Sequence, residues 1–376
     1  MQEHRLRFGW LGGAIACAAV VIASSPYIGE IRSAILAAFP AQFRLIIGGA
    51  IAAAVVVALV HALATIRDRR RWRYTGLVAA IGGAIVYARL VATGNLLVDV
   101  VEHVHFVEYG LIAWLFYRAW FPASAEGFGE AGPGDGAAII WTLLAGTLVG
   151  IADESVQAFI PGRVGEAHDI FLNVVAVSCG LCFAASVDPP ARFSVPLQRG
   201  VLRPMAYGVS IVLVAFAAFF HAVHLGHQVY EPDIGVFWSH YDARTLLAES
   251  ADRASRWRTN PPLELRRLSR EDEYLSEALW HVQERNRAWG VDDQFSAWRE
   301  NLILERFYAP VLDTPTFASR TPARWPAPQR EDAAARIAAD PGIYISRAAP
   351  YPIYTWSPIA FWSGVALVVV AVLTAC

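Results

Sequence analysis

Long apolar runs recur along the chain, and each is close to the length that a helix needs to cross a membrane. The hydrocarbon core of a bilayer requires about 20 consecutive apolar residues, whereas the core of a soluble protein does not. The pattern therefore predicts an all-α fold, a polytopic transmembrane helix bundle of about eight spans. The predicted spans are Phe8–Ile28, Leu45–Ile66, Thr75–Thr93, Val104–Phe121, Gly136–Ile151, Ile170–Val187, Val201–Leu225 and Pro358–Ala375.

One long polar stretch, residues 226–357, separates the last two spans. Apolar residues at helical spacing within it predict amphipathic helices over Ser269–Gly290 and Asp293–Phe307. From Pro310 to Pro358 the chain is rich in Pro and aromatic residues, and X–Pro steps favour extended chain over regular helices. The predicted domains are a transmembrane bundle over 1–225, a mainly helical and irregular extracytoplasmic (periplasmic) domain over 226–357, and a C-terminal transmembrane helix over 358–376.

The basic residues, all of them Arg, predict the orientation of the bundle. The loop Arg67–Arg73 is dense in Arg, and short loops rich in basic residues stay on the cytoplasmic side of the membrane. Alternation of the spans then places residues 226–357 outside and both termini in the cytoplasm. We expect a multi-pass protein of the bacterial inner membrane, with the lipid bilayer as its first partner.

Composition fits a chain that has both lipid-embedded and water-facing parts. The 376 residues are 56% hydrophobic and 17% charged, and the formal net charge is -2. So small a net charge does not indicate a nucleic-acid partner. The four cysteines lie in apolar segments, so the sequence predicts no disulfide framework for the polar domain.

Ionisable side chains gather at the predicted outer end of the fourth span. Glu102, His105 and Tyr109 would share one face of a helix there. Ionisable groups beside hydrocarbon usually turn toward the protein interior or a water-filled cavity, because facing lipid is costly. These side chains therefore need polar partners elsewhere in the bundle.

The loop between the fifth and sixth spans is predicted to lie on the same side and supplies such partners. Asp169 and Asn173 are followed on one helix face by Ala176 and Gly180, a stripe that changes from polar to small residues. We expect a polar mouth above a tight helix contact. The candidate ligand-binding residues are Glu102, His105, Tyr109, Asp153, Glu154, Gln157, Arg163, Asp169 and Asn173.

In this order, the motifs resemble the VanZ-like family of membrane proteins over residues of about 75–190. The family pattern is an acid followed by His-Phe and Tyr, then Asp-Glu-x-x-Gln, Pro-x-Arg, Asp and Asn. It is similar to Glu102, His105, Phe106, Tyr109, Asp153, Glu154, Gln157, Pro161, Arg163, Asp169 and Asn173. His103 departs from the pattern where Lys is common, and Ala176 where Gly is usual.

This family is named for an accessory teicoplanin-resistance protein that acts at the bacterial cell envelope. The resemblance therefore implies a membrane protein with an accessory role at the envelope. Residues 226–357 and the last span lie outside the resemblance, which implies nothing about their function.

Three roles are open for the candidate residues. In the first, the carboxylates pair with Arg163 and the histidines only to neutralise charge inside the bundle. In the second, Arg163 donates to an anionic headgroup or a lipid-linked phosphate of the envelope. In the third, His105 is a general base oriented by Glu102 or Asp153, although no nucleophile and no metal-ligand spacing is indicated. We expect recognition of an envelope component by a non-catalytic protein, and we assign no catalytic or metal-ligating residue.

A different class of function is also open. An aromatic-rich insertion tied to the membrane at both ends suits a clamp between subunits. The chain could then be a structural or assembly subunit of a larger membrane complex, bioenergetic or photosynthetic, that docks its neighbours through residues 226–357. No cofactor is predicted. His221 and His224 could ligate a pigment or a metal, but with His227 they rotate around the helix and do not face one metal together.

Overall fold

The computed structural model describes residues 7–92, 94–95, 99–100, 102–120, 136–160, 163–189, 199–264, 270–337 and 342–375. The chain divides into two compact units. The first comprises residues 1–157, 165–219 and 363–376, and the second comprises 158–164 and 220–362. Within the described ranges there are thirteen helices and one two-stranded sheet, which confirms the predicted all-α class.

The first unit is a bundle of apolar helices. Helices α1 to α4 and α6 belong to it, and α5, α7 and α13 are assigned partly to each unit. Their bounds are α1 Phe8–Ala38, α2 Phe43–Thr65, α3 Arg70–Leu90, α4 Val104–Trp120, α5 Gly136–Phe159, α6 Ala167–Val187, α7 Arg199–His224 and α13 Pro358–Thr374.

Five helices in the described part of the chain are long and apolar enough to cross a membrane. They are α1, α2, α5, α6 and the Leu202–His224 part of α7. Of the other predicted spans, α4 and α13 have 17 residues each, at the short end of what a bilayer needs. Helix α3 carries Arg in its first and last turns. The multi-pass membrane architecture is therefore shown by five helices, and the remaining three spans stay predictions.

Helix α1 extends well beyond the predicted first span, because it begins at Phe8 but continues to Ala38 instead of ending at Ile28. Pro26 lies inside it and lacks a backbone donor. The hydroxyl of Ser24 donates to the carbonyl of Val21 at 2.8 Å. Serine hydroxyls and packing against neighbouring helices allow a membrane helix to continue through a proline.

Helix α6 is the central helix of the first unit, since 56% of its apolar window is buried, the largest share among the five candidate spans. Glycines allow its neighbours to approach closely. A Cβ on Gly180 would lie 2.4 Å from the Cα of Gly110 in α4, and one on Gly146 of α5 would lie 2.7 Å from the Val177 side chain. These contacts confirm the predicted tight helix contact at the small end of the α6 stripe.

Arg73 fixes the far end of α6. Its Nε donates to the carbonyl of Ser186 at 2.9 Å and its Nη2 donates to the carbonyl of Val187, while Nη1 contacts Asp68 at 2.5 Å. The last carbonyls of a helix have no partner within the helix and carry partial negative charge. An Arg of α3 therefore caps the C-terminus of α6 and joins the two helices.

The second unit combines a β-hairpin with helices. The described elements are β1 His227–Glu231, β2 Gly235–Ser239, α8 Ala243–Arg256, α9 Arg270–Gly290, α10 Gln294–Phe307, α11 Ala309–Asp313 and α12 Ala327–Ile337. The antiparallel register pairs His227 with Ser239 and Glu231 with Gly235. The predicted amphipathic helices correspond closely to α9 and α10. Asp293 caps α10 by accepting from the N–H of Ser296 at 3.1 Å.

The hairpin is a departure from the predicted helical and irregular domain. Its edge is extended by a distant segment, because the N–H of Val236 donates to the carbonyl of Tyr344 and the N–H of Ser346 donates to that of Val236, both at 2.8 Å. Gly235 has φ 128, and a Cβ there would lie 2.4 Å from the carbonyl oxygen of Tyr344. Only glycine fits this turn and this approach.

The segment from Pro310 to Pro358 is more helical than predicted. It contains most of α11 and the whole of α12, so the expectation of extended chain throughout is wrong. The prolines explain the error, since Pro310 and Pro328 lie in the first turns of these helices, where a missing backbone N–H has no partner to lose. X–Pro steps here mark helix starts.

The two ends of the polar insertion are hydrogen-bonded to each other. The N–H of Tyr354 donates to the carbonyl of His224 at 2.7 Å, and the N–H of Gly226 donates to that of Tyr354 at 3.0 Å. Beside them the ring of Phe220 stacks on Tyr354, Trp356 and Phe361, with centroids 5.5, 5.6 and 5.9 Å apart. We call these four rings the aromatic stack.

Two buried carboxylates hold the second unit together, each by accepting hydrogen bonds from a His, a Tyr and a Ser. The first, the Glu300 node, comprises Glu300, His281, Tyr344 and Ser346. The carboxylate of Glu300 is fully buried and accepts from His281 Nδ1 at 2.6 Å and from the Tyr344 and Ser346 hydroxyls at 2.5 Å each. A buried carboxylate with this many donors is well satisfied.

The second, the Glu277 node, comprises Glu277, Ser239, His240 and Tyr308. Glu277 accepts from the hydroxyls of Ser239 at 2.6 Å and Tyr308 at 2.9 Å. It also accepts from the backbone N–H of His240 at 2.8 Å and contacts the ring Nδ1 of His240 at 2.7 Å. These donors hold the pKa of Glu277 below its usual value although burial alone would raise it.

Candidate functional site

Asp153 is the centre of the polar site in the first unit. Its carboxylate lies on α5 and the residue is only 2% exposed. The hydroxyl of Ser25 in α1 donates to one carboxylate oxygen at 2.8 Å, and the hydroxyl of Tyr109 in α4 donates to the other at 3.0 Å. Three helices are therefore joined through one buried acid that accepts from two uncharged hydroxyls.

Glu154, the next residue along α5, is also buried. It accepts from the side-chain amide of Gln157 at 3.0 Å and from the backbone N–H of Glu166 at 3.2 Å. Glu166 directly precedes α6. Glu154 therefore ties the end of α5 to the start of α6.

Asn173 lies on α6 against α5. It is fully buried, and a Cβ on Gly150 would lie 3.0 Å from the Cβ of Asn173. Gly150, Asp153 and Glu154 lie within one turn of α5, so Asn173 is packed beside the level of the two acids. Within the described part of the chain, neither its amide oxygen nor its amide nitrogen has a hydrogen-bond partner.

A buried amide without partners is unusual, because burying such a group without a hydrogen bond costs about 1–3 kcal/mol. Natural structures leave few of these groups, and each one calls for a reason, such as an unseen water or ligand. We call the residues Ser25, Tyr109, Asp153, Glu154, Gln157, Glu166 and Asn173 the Asp153 cluster.

His105 lies one turn before Tyr109 on α4, and the two rings stack with centroids 5.9 Å apart. The Nδ1 atom of His105 is buried without a hydrogen-bond partner among the described residues. Helix α4 begins at Val104, so of the three residues predicted to share a helix face it contains His105 and Tyr109. His103 lies in a turn, which leaves Glu102 outside α4.

Acidic residues lie near one another at the start of α6. Burial raises the pKa of Glu166, and the nearby charges of Asp169 and Glu102 raise it further. Asp169 lies in the first turn of α6, where its backbone N–H donates to the carbonyl of Glu166 at 3.2 Å. Glu102 and Asp169 are thus near enough to Glu166 to repel its negative charge.

The structure gathers Tyr109, Asp153, Glu154, Gln157 and Asn173 from the nine predicted site residues. Arg163 belongs to the second unit, where its backbone N–H donates to the carbonyl of Ile160 at 3.1 Å, and its role in binding stays a prediction. Pro161, predicted from the family pattern, lies outside the described residues.

Sequence analysis missed Ser25 and Glu166. Ser25 lies in an apolar run, and the only signal is the Ser24-Ser25-Pro26 interruption of that run. Glu166 contributes a backbone N–H, which no side-chain pattern can reveal.

The histidines proposed as possible pigment or metal ligands lie in the second unit. His224 Nδ1 is 2.9 Å from the carbonyl of Pro352, and its ring packs on Phe220 and Tyr351. The ring of His221 packs against Phe361 and Trp362. These contacts give both rings a packing role, and ligation by either remains an untested prediction.

Comparison with known proteins relates the bundle to one family. Residues 14–187 match the model of the VanZ/LLP1 family, a region that extends upstream of the resemblance seen in the motifs and includes Ser25. Neither the curated proteins nor the solved structures gave a significant match. The matched region contains the whole Asp153 cluster and excludes residues 226–357.

Proposed function

We propose that this chain, a VanZ-like membrane protein over residues 14–187, binds the polar headgroup of an envelope lipid or lipid-linked envelope component in the Asp153 cluster. In this role it is an accessory, non-catalytic protein of the bacterial inner membrane. The family match supports a membrane protein of this kind, and the cluster supports the binding role.

The observation that carries the proposal is the unpartnered amide of Asn173. A fully buried Asn presents one acceptor and two donors, and a ligand that supplies the complementary groups would recover the cost of their burial. The Nδ1 of His105, beside Tyr109, adds a further unpartnered polar atom near the same carboxylate. A polar ligand would complete these hydrogen bonds.

The charge of the cluster favours a particular class of headgroup. Asp153 accepts from two hydroxyls, and among the described residues no Arg or His nitrogen lies within 4.0 Å of its carboxylate. A buried acid with uncharged partners favours a ligand that carries hydroxyl or ammonium donors. An anionic headgroup would instead meet like charge at Asp153, Glu154 and Glu166.

Binding is better supported than catalysis. The hydroxyl of Ser25 contacts the Asp153 carboxylate and the carbonyl of Val21, and no imidazole within hydrogen-bond reach of it is found in the described part of the chain. Activation of a serine as a nucleophile requires an adjacent general base with a suitable pKa. The cluster is therefore arranged to hold a polar group.

Mass spectrometry of the native protein tests this function. The full chain is purified from bacterial membranes in a mild detergent, and the lipids that remain bound are identified and counted. We expect one retained lipid class, with at least a tenfold loss in Asn173→Ala and in Asp153→Asn.

The matched control is Ser178→Ala, which also removes a polar group from α6 but at an exposed position where the hydroxyl only bonds its own helix. Retention must be unchanged in that variant. Equal retention in wild type, Asn173→Ala and Asp153→Asn would rule out the cluster as the binding site.

A second candidate, a structural subunit of a larger membrane complex, is favoured by the aromatic stack. Trp356 is 52% exposed although it stacks on Phe220, and α13 buries none of its residues. Exposed aromatic surface of this kind is typical of protein interfaces. Native co-purification tests it: a partner at fixed stoichiometry that is lost in Trp356→Ala supports this role, and a chain without protein partners contradicts it.

A further inference from the structure

Three ligand atoms converge at the end of the hairpin in the second unit. His240 Nδ1 lies 2.7 Å from one carboxylate oxygen of Glu277 and 3.1 Å from one of Glu273. All three atoms lie within 4.8 Å of one another. One imidazole nitrogen and two carboxylate oxygens therefore lie close enough together to bind one ion.

The hydrogen bond of the other ring nitrogen of His240, Nε2, shows where the ring carries a proton. Nε2 lies 2.9 Å from the carbonyl oxygen of Val223, and a carbonyl can only accept, so the proton is on Nε2. Nδ1 then faces the two carboxylates either with a second ring proton or with its lone pair directed at a bound cation. Three acceptors can converge only around a positive charge, which either a second proton or a metal cation can provide.

Zn²⁺ binds imidazole nitrogen and carboxylate oxygen at about 2.0–2.2 Å in tetrahedral geometry, which places neighbouring ligand atoms about 3.4 Å apart. The separations from Nδ1, 2.7 and 3.1 Å, are shorter than this, so each carboxylate would move outward by less than about 1 Å to admit the ion. Metal-ligating histidines usually donate their other N–H to a backbone carbonyl or carboxylate, as His240 does to Val223.

The supporting elements are rigid and the site is accessible. Glu273 and Glu277 are one turn apart on α9, and His240 directly follows β2. The hydroxyls of Ser239 and Tyr308 hold Glu277 in place. The side chain of Glu273 is 36% exposed, which provides an entry path and room for a water ligand.

The Glu300 node shows that this convergence is not a general property of the unit. There, His281 Nδ1 contacts a carboxylate oxygen of Glu300 at 2.6 Å, but within the described residues no second carboxylate completes a group of three. The two nodes share the same His, Tyr and Ser donors. Glu273 is the added ligand at the Glu277 node.

We propose that His240, Glu273 and Glu277 bind one divalent transition metal ion, with Zn²⁺ as the representative ion, and so fix the hairpin to α9. Imidazole favours ions of this class over Mg²⁺ and Ca²⁺, which prefer oxygen ligands. This site is independent of the Asp153 cluster, so either proposal can fail alone.

Zinc titration of the purified full chain tests the site. The protein in detergent is stripped with a chelator and titrated with Zn²⁺ by calorimetry. We expect one saturable site per chain, with affinity at least tenfold weaker in Glu273→Gln and in His240→Gln. The thermal midpoint should rise with Zn²⁺ in wild type and not in these variants, because only the folded state has the site.

Two controls separate this site from adventitious binding. Glu331→Gln removes an exposed acid of α12, and His281→Gln removes the histidine of the Glu300 node; both should bind Zn²⁺ as wild type does. Absence of a saturable site, unchanged affinity in Glu273→Gln, or equal affinity for Mg²⁺ would each overturn the proposal. Glu273→Gln decides the result if a buried variant does not fold, because Glu273 is partly exposed.

Discussion

The Asp153 cluster and the Glu300 node both bury a carboxylate, but they differ in what surrounds it. At Glu300, three side-chain donors converge on the acid, and one of them is a histidine that can carry the balancing positive charge. At Asp153, the donors are two hydroxyls, and the neighbouring Asn173 amide has no partner among the described residues.

This difference predicts which region contributes to stability and which contributes to binding. A buried polar network in which every member is satisfied makes a fold rigid, whereas a network with open donors and acceptors remains able to accept a ligand. We therefore expect substitutions at the Glu300 node to change the free energy of unfolding. We expect substitutions in the Asp153 cluster to change mainly the amount of lipid that stays bound.

The largest effect is expected from Glu300→Ala. This change leaves His281, Tyr344 and Ser346 as buried donors without an acceptor, and each buried polar group left without a partner costs about 1–3 kcal/mol. Urea unfolding of the full chain in detergent measures the loss. Glu331→Ala, at an exposed acid of α12, should stay within about 0.5 kcal/mol of wild type. Similar values for the two variants would remove the distinction between the regions.

A matched pair of tyrosines sharpens the comparison. Tyr109 and Tyr308 are both fully buried, and each donates to one carboxylate, at 3.0 Å to Asp153 and at 2.9 Å to Glu277. Hydrogen bonds to charged groups contribute about 1.5–3 kcal/mol, so both Tyr→Phe variants should lose a similar amount of stability by urea unfolding. Lipid retention should fall only in Tyr109→Phe. A fall in both, or in Tyr308→Phe alone, contradicts the assignment of binding to the first unit.

Asn173→Ala should change stability little. The variant removes an amide without partners, which returns a desolvation cost of about 1–3 kcal/mol, but it also leaves a small cavity of comparable cost. The net change in the free energy of unfolding should be about 1 kcal/mol or less. A loss as large as that of Glu300→Ala would show that Asn173 is a structural residue, whatever its effect on lipid retention.

The smallest effect concerns pH. Burial, followed by the charge of Asp169, raises the pKa of Glu166, so its ionised form is disfavoured in the folded state. An acid with a raised folded pKa lowers stability at neutral pH, and this cost diminishes as the pH falls and the folded state takes up a proton. Glu166→Gln should therefore raise the thermal midpoint at pH 7.5 and have less effect at pH 5. A larger gain in thermal midpoint at pH 5 than at pH 7.5 would contradict a raised pKa of Glu166 in the folded state.

The helices of the bundle could be predicted because their signal is local. Each apolar run is continuous in sequence, and α9 and α10 show their apolar positions at helical spacing. The extension of the hairpin edge could not, because Val236 pairs with residues more than 100 positions later, a distance that no local pattern covers.

The candidate site was predictable to a similar extent. The family pattern pointed to Tyr109, Asp153, Glu154, Gln157 and Asn173, which the structure gathers. It did not point to Ser25, because a single hydroxyl in an apolar helix carries no signal for a partner 128 residues away. The Glu300 node was missed for the same reason, since its members come from distant segments.

The hydrogen bonds that join Tyr354 to His224 and Gly226 have a consequence for how this chain can vary. They bring the departure and return points of residues 226–353 to one place, about the spacing of neighbouring strands. A segment that leaves and returns at one place can be lost, gained or exchanged by a single replacement at that point, without rerouting the helices on either side. Residues 226–353 are in this sense a cassette, and a short Gly-Ser bridge across the same point is the natural way to remove them.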